Sequence, residues 1–155
     1  MKKHIIRNSS FICFACILAY FTYHPLVYQF DYFPALGLAR RHLYTDVVKA
    51  QGQPDSVTQQ DDGSWIVQYD GLQFNFDKMD SAFRNAVITG SQYRFGLWKI
   101  GVGTSRKKIE RVYQYITPIK DLDEDEYGII EFDSWVTFVF DSNDNVEKIC
   151  LCYGP

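Results

Sequence analysis

The feature that most constrains the fold is a pattern of alternating aromatic and polar residues that occurs twice. The stretch IVQYDGLQFNFD spans residues 66–77, and the stretch IIEFDSWVTFVFD spans residues 129–141. In each stretch a β-branched pair and an aromatic-Asp pair precede a turn, and alternating Phe residues that end in Asp follow it. Because a period of two places every second side chain on the same face of a strand, both stretches are predicted to be antiparallel hairpins with one apolar face.

The first copy carries a strong turn signal. Both central residues of a two-residue hairpin turn must tolerate positive φ, and Asp70-Gly71 is a pair that does so. The predicted core face carries Trp65, Val67, Tyr69, Leu72, Phe74 and Phe76. The opposite face carries Ile66, Gln68, Gln73 and Asn75 and is predicted to be largely solvated, as expected for an antiparallel sheet with one wet side.

The second copy has one extra residue at its turn. Because a one-residue slip moves every side chain to the other face, a two-residue turn at 133–134 would expel the Phe residues from the core. A three-residue loop at 133–135, or a bulge there, restores the register, so that Phe138 and Phe140 are predicted to share one core with Phe74 and Phe76. This loop puts Trp135 at the hairpin tip, and it puts Glu131 and Thr137 on the polar face.

These assignments predict a protein-binding surface. Trp offers a large contact area at a small entropy cost, and an exposed Trp beside an uncharged polar surface is typical of a binding hot spot. The predicted partner-binding residues are Trp135, Gln68, Gln73, Asn75, Glu131 and Thr137. The alternative is that Trp135 folds back and covers the edge of the core, as large apolar rings usually do.

Repetition of the hairpin pattern favours a fold built from two tandem units. One unit alone would leave its apolar face uncovered, so the second unit is expected to complete the core. Periodic apolar residues predict a helix before each hairpin, one that stops at Gly52 and Pro54 and one over residues 106–115. The predicted fold class is therefore α+β, an antiparallel sheet with helices packed on one face, formed by the units 44–99 and 100–155.

The first 30 residues have the composition of a membrane-targeting segment. Their start is basic, and residues 11–23 are free of charge, with an apolar character that extends to residue 30. Since about 20 apolar residues cross a bilayer, residues 11–30 are predicted to form a transmembrane anchor, followed by a helical linker over 31–43. The basic start favours a cytoplasmic N-terminus, which puts residues 44–155 outside the cytoplasm. The alternative is a cleaved signal peptide, which would make the protein secreted.

Charge and histidine placement exclude several classes of function. Residues 44–155 carry 11 basic and 18 acidic side chains, and this balance repels phosphate backbones, so no nucleic-acid partner is expected. All three histidines precede residue 44, so no His-dependent triad or zinc site can form after it. Cys150 and Cys152 lie two apart in a predicted strand, which points both thiols to one face as packed side chains. No catalytic residue, metal ligand or cofactor is predicted.

Two short segments resemble a known group of exported proteins. The segment TDVVKAQGQP, residues 45–54, resembles the helix-to-Gly-x-Pro signature of small exported proteins with the BamE-like and β-lactamase-inhibitor-protein-like fold. The segment IGVGTSRKKI, residues 100–109, resembles the entry to their second repeat. The resemblance implies two tandem helix-plus-sheet units, export from the cytoplasm, and protein–protein binding without catalysis.

Together these observations predict a membrane-anchored, extracytoplasmic, non-catalytic module that binds another protein. It would contact the membrane through residues 11–30. Two alternatives stay open. One is an envelope enzyme that uses paired carboxylates, which need only proximity in space. The other is a structural spacer of a membrane assembly.

Overall fold

The computed structural model describes residues 36–38, 43–96, 98–113, 122–131 and 134–153. These residues belong to one compact unit, Tyr32–Pro155. The predicted anchor and most of the predicted linker lie outside the described residues, so the domain division at residues 30 and 43 stays a prediction. Among the helices that the structure describes, none combines the length and the apolar character needed to cross a membrane.

Seven strands form one continuous antiparallel sheet in the order β1-β2-β3-β4-β7-β6-β5. In chain order the elements are α1 (Tyr44–Gln51), β1 (Ser56–Gln59), β2 (Trp65–Tyr69), β3 (Leu72–Phe76), β4 (Phe83–Ile88), α2 (Arg106–Tyr113), β5 (Glu126–Glu131), β6 (Ser134–Phe140) and β7 (Val146–Tyr153). The consecutive strands β1 to β4 form one half of the sheet, and β5 to β7 form the other. The halves join where β4 pairs with β7, with Ala86 opposite Leu151.

The first hairpin has the predicted register. Tyr69 pairs with Leu72 and Trp65 pairs with Phe76, so Asp70-Gly71 is the turn. Gly71 has a φ of 66°, as this turn requires. The residues predicted for the core face are buried or half-buried, and Val67, Leu72 and Phe74 are fully so.

Both helices cover the same face of the sheet. Tyr113 of α2 stacks on Phe138, with ring centroids 5.6 Å apart, and Tyr44 of α1 meets Phe76 edge-on at 6.3 Å. The prediction that one core contains Phe74, Phe76, Phe138 and Phe140 is confirmed, since all four are buried. Burial of each such ring contributes about 1.5–3 kcal/mol, so this apolar layer dominates the stability of the fold.

The predicted fold class, α+β with two tandem units, was wrong. The described part of the chain is mainly β, because its two helices have only eight residues each and the sheet has seven strands. Hydrogen bonding continues from β1 to β5 without a break, so the two hairpins share one sheet and one core. Both hairpins contribute to one apolar face, which α1 and α2 cover, so a separate helix-plus-sheet unit for each hairpin is not needed.

The two hairpins are also not equivalent in register. In the second hairpin Ile129 pairs with Val136 and Glu131 pairs with Ser134, so only residues 132 and 133 lie between paired positions. The predicted loop at 133–135 was therefore wrong. The register of the two strands is centred one residue earlier than the turn that the sequence argument rejected, and it keeps the Phe residues in the core. As a result Ile129 is buried on the core face, 1% exposed.

Local backbone geometry explains where α1 ends and α2 begins. Gly52 has a φ of 88°, which a side chain would disfavour, and its N–H donates to the Val48 carbonyl at 2.9 Å. The Ser105 carbonyl accepts the first hydrogen bonds of α2, from the N–H groups of Lys108 and Ile109. These are general helix-terminating and helix-starting devices, so they carry no information about a particular family.

Candidate functional site

The sheet has a second face, which neither α1 nor α2 covers; we call it the outer face. Strand pairing aligns two rows of residues across it. One row contains Ser56, Gln68, Gln73, Val87, Cys150 and Thr137, and the other contains Thr58, Ile66, Asn75, Asn85, Cys152 and Trp135. At the β5 end Gly128 and Val139 are buried, so the exposed part of the face runs from β1 to β6, about 24 Å at ~4.8 Å per strand.

Four side-chain amides form the centre of the β2-β3-β4 half, and we call them the amide patch: Gln68, Gln73, Asn75 and Asn85. The Gln73 amide nitrogen donates to the Asn75 amide oxygen at 2.7 Å, and the Asn75 nitrogen donates to the Asn85 oxygen. The Gln68 nitrogen donates to the Tyr69 carbonyl at 2.8 Å. An amide offers two N–H donors and one oxygen with two lone pairs, so these bonds orient the groups and use only part of their capacity.

Trp135 lies on the other half of the outer face and is 36% exposed. It pairs with Cys152 across β6 and β7, and a side-chain hydrogen bond joins the two residues. The indole can only donate, so its N–H is directed to the sulfur. The ring is thereby held against the sheet with part of its surface free for a partner.

The two thiols of β7, which lie between the amide patch and Trp135, behave as small apolar groups. Cys150 and Cys152 are free and half-buried, and they lie on the same face, as predicted. Burial raises the pKa of both thiols above the ordinary value. The Trp135 hydrogen bond opposes that rise at Cys152 but is the smaller effect. Both groups therefore stay protonated near neutral pH and contribute packing rather than nucleophilic chemistry.

The structure brings most of the predicted partner-binding residues onto one surface. Gln68, Gln73 and Asn75 are neighbours, and Thr137 and Trp135 lie on the same face, with β4 and β7 between them and β3. The predicted place of Trp135 was wrong, because it lies within β6 and not at the hairpin tip. Glu131 pairs with Ser134 at the end of the hairpin. Whether these residues bind a partner stays a prediction.

Sequence reasoning missed Asn85, which completes the amide patch. A register shift between Asn75 and Phe76 lets Phe83 and Ala86, three residues apart, share the core face. The period-two alternation of β4 is therefore broken at its start. The one available signal was Asn85 itself, a polar residue that follows Arg84 directly before the apolar run Ala86, Val87 and Ile88.

An aspartate stabilises the turn between β6 and β7. The Asp141 carboxylate accepts N–H bonds from Asn143 at 2.8 Å and from Asn145 at 3.0 Å, which closes the turn between β6 and β7. Across the described ranges, no group of three or more His, Cys, Asp or Glu side chains is placed to share a metal ion.

Comparison with known proteins gives a fold likeness only. No protein-family model matches the chain, and no curated protein matches its sequence. An extracellular protein containing an SCP domain from Bacillus anthracis is similar in structure, with a TM-score of 0.56 and 12% identity over 71% of this chain. A cysteine-rich secretory protein from Staphylococcus aureus has a TM-score of 0.50 and 12% identity over 70% of this chain. The likeness covers 42% of each of those chains, so this chain spans less than half of their length.

The predicted resemblance to the BamE-like and β-lactamase-inhibitor-protein-like fold was wrong. The similar structures are of another kind, and the described chain has one mainly β sheet instead of tandem units. The Gly-x-Pro segment that suggested the resemblance only ends α1, at Gly52, and leads into β1. A helix stop of this type is common to many folds.

Proposed function

We propose that this protein is an extracytoplasmic, non-catalytic interaction module that binds another protein through the outer face of its sheet. One observation carries the proposal. A seven-stranded sheet has one face covered by two helices, while its other face presents an ordered, uncharged amide patch and a partly exposed Trp. An antiparallel sheet tolerates a solvated face, but that face is ordinarily rich in charge.

The chemistry of the outer face suits a protein partner. Aromatic residues are enriched at the centre of protein interfaces and charged residues are depleted there, which is the composition found between the amide patch and Trp135. The surface is a broad sheet face, whereas small-molecule sites are concave and enclose most of their ligand. The two rows of the outer face contain no basic residue, although Lys148 lies beside Cys150 on β7. So few cations disfavour a nucleic acid, which is bound mainly through its phosphates.

The proposed location rests on the N-terminal sequence and on the similar structures. A basic start followed by the apolar run at residues 11–30 is typical of an anchor or a signal peptide, and either would export the rest of the chain. The two similar structures are named as an extracellular and a secretory protein. In our proposal residues 11–30 tether the module to the membrane and the sheet faces outward.

Site-specific photo-cross-linking tests this function in cells that express the full chain. A benzophenone side chain would replace Gln73 in the amide patch and, as the matched control, Lys107 on the exposed side of α2. We expect a discrete protein adduct from position 73 and none from position 107. The adduct identifies the partner, because the reactive group abstracts hydrogen only from groups in direct contact with it.

A second variant shows whether the amides themselves bind the partner. Asn75→Asp keeps the shape of the side chain but replaces two N–H donors with a negative charge, so the adduct from position 73 should fall severalfold. Gln53→Glu, which adds the same charge at an exposed loop position, is the control and should leave the adduct unchanged. The proposal fails if positions 73 and 107 give the same adducts, or if Asn75→Asp has no more effect than Gln53→Glu.

A further inference from the structure

The strand β1 is an exposed edge of the sheet. All four of its residues, Ser56–Gln59, are exposed, and within the described residues β1 pairs with β2 alone. An uncovered edge presents unpaired backbone N–H and C=O groups and accepts a further strand, so natural proteins usually shield it. In β1 no Lys or Pro provides such protection.

Hydrogen bonding at the end of β1 shows which backbone groups face the open side. The Gln60 N–H donates to the Ser64 carbonyl at 2.8 Å, so position 60 faces β2. Along an antiparallel strand, the backbone groups of every second residue point to the same neighbouring strand. The N–H and C=O groups of Ser56 and Thr58 therefore also point to β2, where these residues pair with Gln68 and Ile66. The N–H and C=O groups of Val57 and Gln59 therefore point away from the sheet.

The charged residues of the segment 55–62 all have one sign, although the Arg84 guanidinium of β4 lies near enough to Asp62 to act on its carboxylate. Asp55 lies at one end of β1 and Asp61 and Asp62 lie beyond the other, and all three are exposed. The segment 55–62 contains no Lys or Arg. An added strand would thus find uncharged residues along its middle and carboxylates at both ends.

This charge pattern disfavours a second copy of the chain as the added strand. An antiparallel partner must align its outward groups with those of Val57 and Gln59. If Thr58 of one copy lies opposite Thr58 of the other, Val57 of each copy pairs with Gln59 of the other and the outward groups are aligned. The same register places Asp55 of each copy opposite Asp61 of the other. Like charges directly opposite each other destabilise a strand pair, whereas opposite charges stabilise it.

We propose that β1 is a docking edge for an extended segment of another protein that carries basic residues on both sides of an uncharged core. The segment joins the sheet as an eighth strand, its backbone bonding to Val57 and Gln59 and its basic side chains meeting Asp55 and Asp61. This mode of recognition takes its affinity from main-chain hydrogen bonds and its specificity from the flanking side chains. It does not rest on the function proposed for the amide patch, since it uses different residues.

Synthetic peptides test the proposal with the full chain. The probe is a short peptide of alternating Thr and Val flanked on both sides by lysines, and the matched peptide has glutamates in place of the lysines. The lysine peptide should bind about tenfold more tightly or better, as measured by fluorescence anisotropy, because several opposite-charge pairs replace like-charge pairs. It should also slow amide hydrogen exchange at Val57 and Gln59.

Two variants assign the binding to this edge. Val57→Pro removes an outward N–H and leaves the inward bonds of β1 in place, a position where an edge strand tolerates Pro, so affinity for the lysine peptide should fall about tenfold. If this variant fails to fold, the double variant Asp55→Lys with Asp61→Lys changes only exposed side chains and should reverse the preference toward the glutamate peptide. Asn75→Asp should leave peptide binding unchanged, which separates this edge from the amide patch.

The proposal is overturned if both peptides bind equally, or if Val57→Pro folds and binds the lysine peptide as well as the unaltered chain does. In the variant with both Asp55→Lys and Asp61→Lys, the glutamate peptide should bind more tightly than the lysine peptide. If either peptide slows amide hydrogen exchange in β1 of this variant but the glutamate peptide does not bind more tightly, the proposal is also overturned. Loss of cross-linking at position 73 with intact peptide binding would refute the proposed function alone.

Discussion

The guanidinium carbon of Arg106 lies 4.1 Å from the centroid of the Phe140 ring. Arg106 is the first residue of α2, and its other contacts reach two further segments. Its Nε is 2.9 Å from the Asp144 carboxylate, and its terminal nitrogen donates to the Glu124 carbonyl at 2.9 Å. One side chain thus connects the start of α2 with β6, with the turn before β7 and with the segment before β5. A cation at a helix start opposes the helix dipole, so these partners offset an unfavourable position.

Arg106→Ala is expected to lower the free energy of unfolding by about 1–2 kcal/mol. The cation–π contact and the planar fork of donors are both lost, and exposure of the Asp144 carboxylate limits what the ion pair adds. Urea unfolding measures the change. Lys107→Ala, at the next helix position, which is exposed, is the control and should change stability by less than about 0.5 kcal/mol. Equal effects of the two variants would show that the contact with Phe140 contributes nothing.

Phe138→Ala should unfold the protein or come close to it. Phe138 is fully buried and stacks on Tyr113, and truncation of such a ring costs about 3–5 kcal/mol, against a total stability of about 5–15 kcal/mol for a typical domain. Thr137→Ala alters the neighbouring residue on the outer face and should shift the melting temperature far less. Calorimetry or circular dichroism gives both midpoints, and similar shifts would contradict the assignment of the two faces.

The burial of the alternating Phe residues in both hairpins could be predicted, because a period-two pattern over several residues places them on one face whatever the type of turn. The first hairpin was predictable in full, since Asp70-Gly71 defines its turn chemically. The second hairpin has no such pair. Ile129 and Ile130 are equally apolar, so either could face the core, and only pairing across β6 decides in favour of Ile129.

The number of units and the makeup of the amide patch could not be predicted for a related reason. A repeated hairpin pattern records local alternation, but whether two hairpins share a sheet depends on the pairing of β4 with β7, where Val87 lies opposite Cys150. Asn85 lies opposite Asn75 and away from the core although Phe83, two residues earlier, is buried, because a bulge between these positions breaks the alternation of β4. Both features come from long-range strand pairing, which leaves no periodic mark on the sequence.

Gly71→Ala is expected to destabilise the protein more than Gly63→Ala does. Both glycines have positive φ, 66° and 85°, so each substitution carries a conformational cost of about 1–2 kcal/mol. An added Cβ at Gly63 meets nothing within 4 Å, whereas at Gly71 it overlaps the Gly90 backbone and lies 2.6 Å from the Gly90 nitrogen. The Gly71 carbonyl also accepts N–H bonds from Thr89 and Gly90, which hold this contact in place.

The difference between the two glycine variants isolates the close approach of the turn to the segment after β4. Urea unfolding measures the free energy of unfolding of both variants. The loss for Gly71→Ala should exceed the loss for Gly63→Ala by at least about 1 kcal/mol, as for other overpacked sites. Equal losses of stability in the two variants would mean that the backbones at Gly71 and Gly90 can move apart without a cost in free energy.

Stability should fall above pH 10 through Tyr69. Burial raises the pKa of its phenol from 10.0 to about 12, and the hydroxyl donates to the Gly52 carbonyl at 3.1 Å. Because the folded pKa lies above the unfolded one, the unfolded chain loses its proton first as pH rises. The stabilising contribution is therefore complete below pH 10 and is lost progressively as pH rises to about 12.

Tyr69→Phe tests this assignment, because it removes the ionising group and retains the ring that meets Phe74 at 6.1 Å. The variant should be less stable than the unaltered protein near pH 8, where the hydroxyl still donates its hydrogen bond, and the gap should narrow as pH rises above 10. Tyr93 and Tyr127 also have raised pKa values through burial, so some pH dependence should persist in the variant. Urea unfolding at about pH 8 and about pH 11 measures the gap directly. A gap that stays constant would show that Tyr69 ionises equally well in the folded and unfolded chains, and a gap that widens would show that it ionises more readily in the folded chain. Either result would contradict shielding of the phenol at the end of α1.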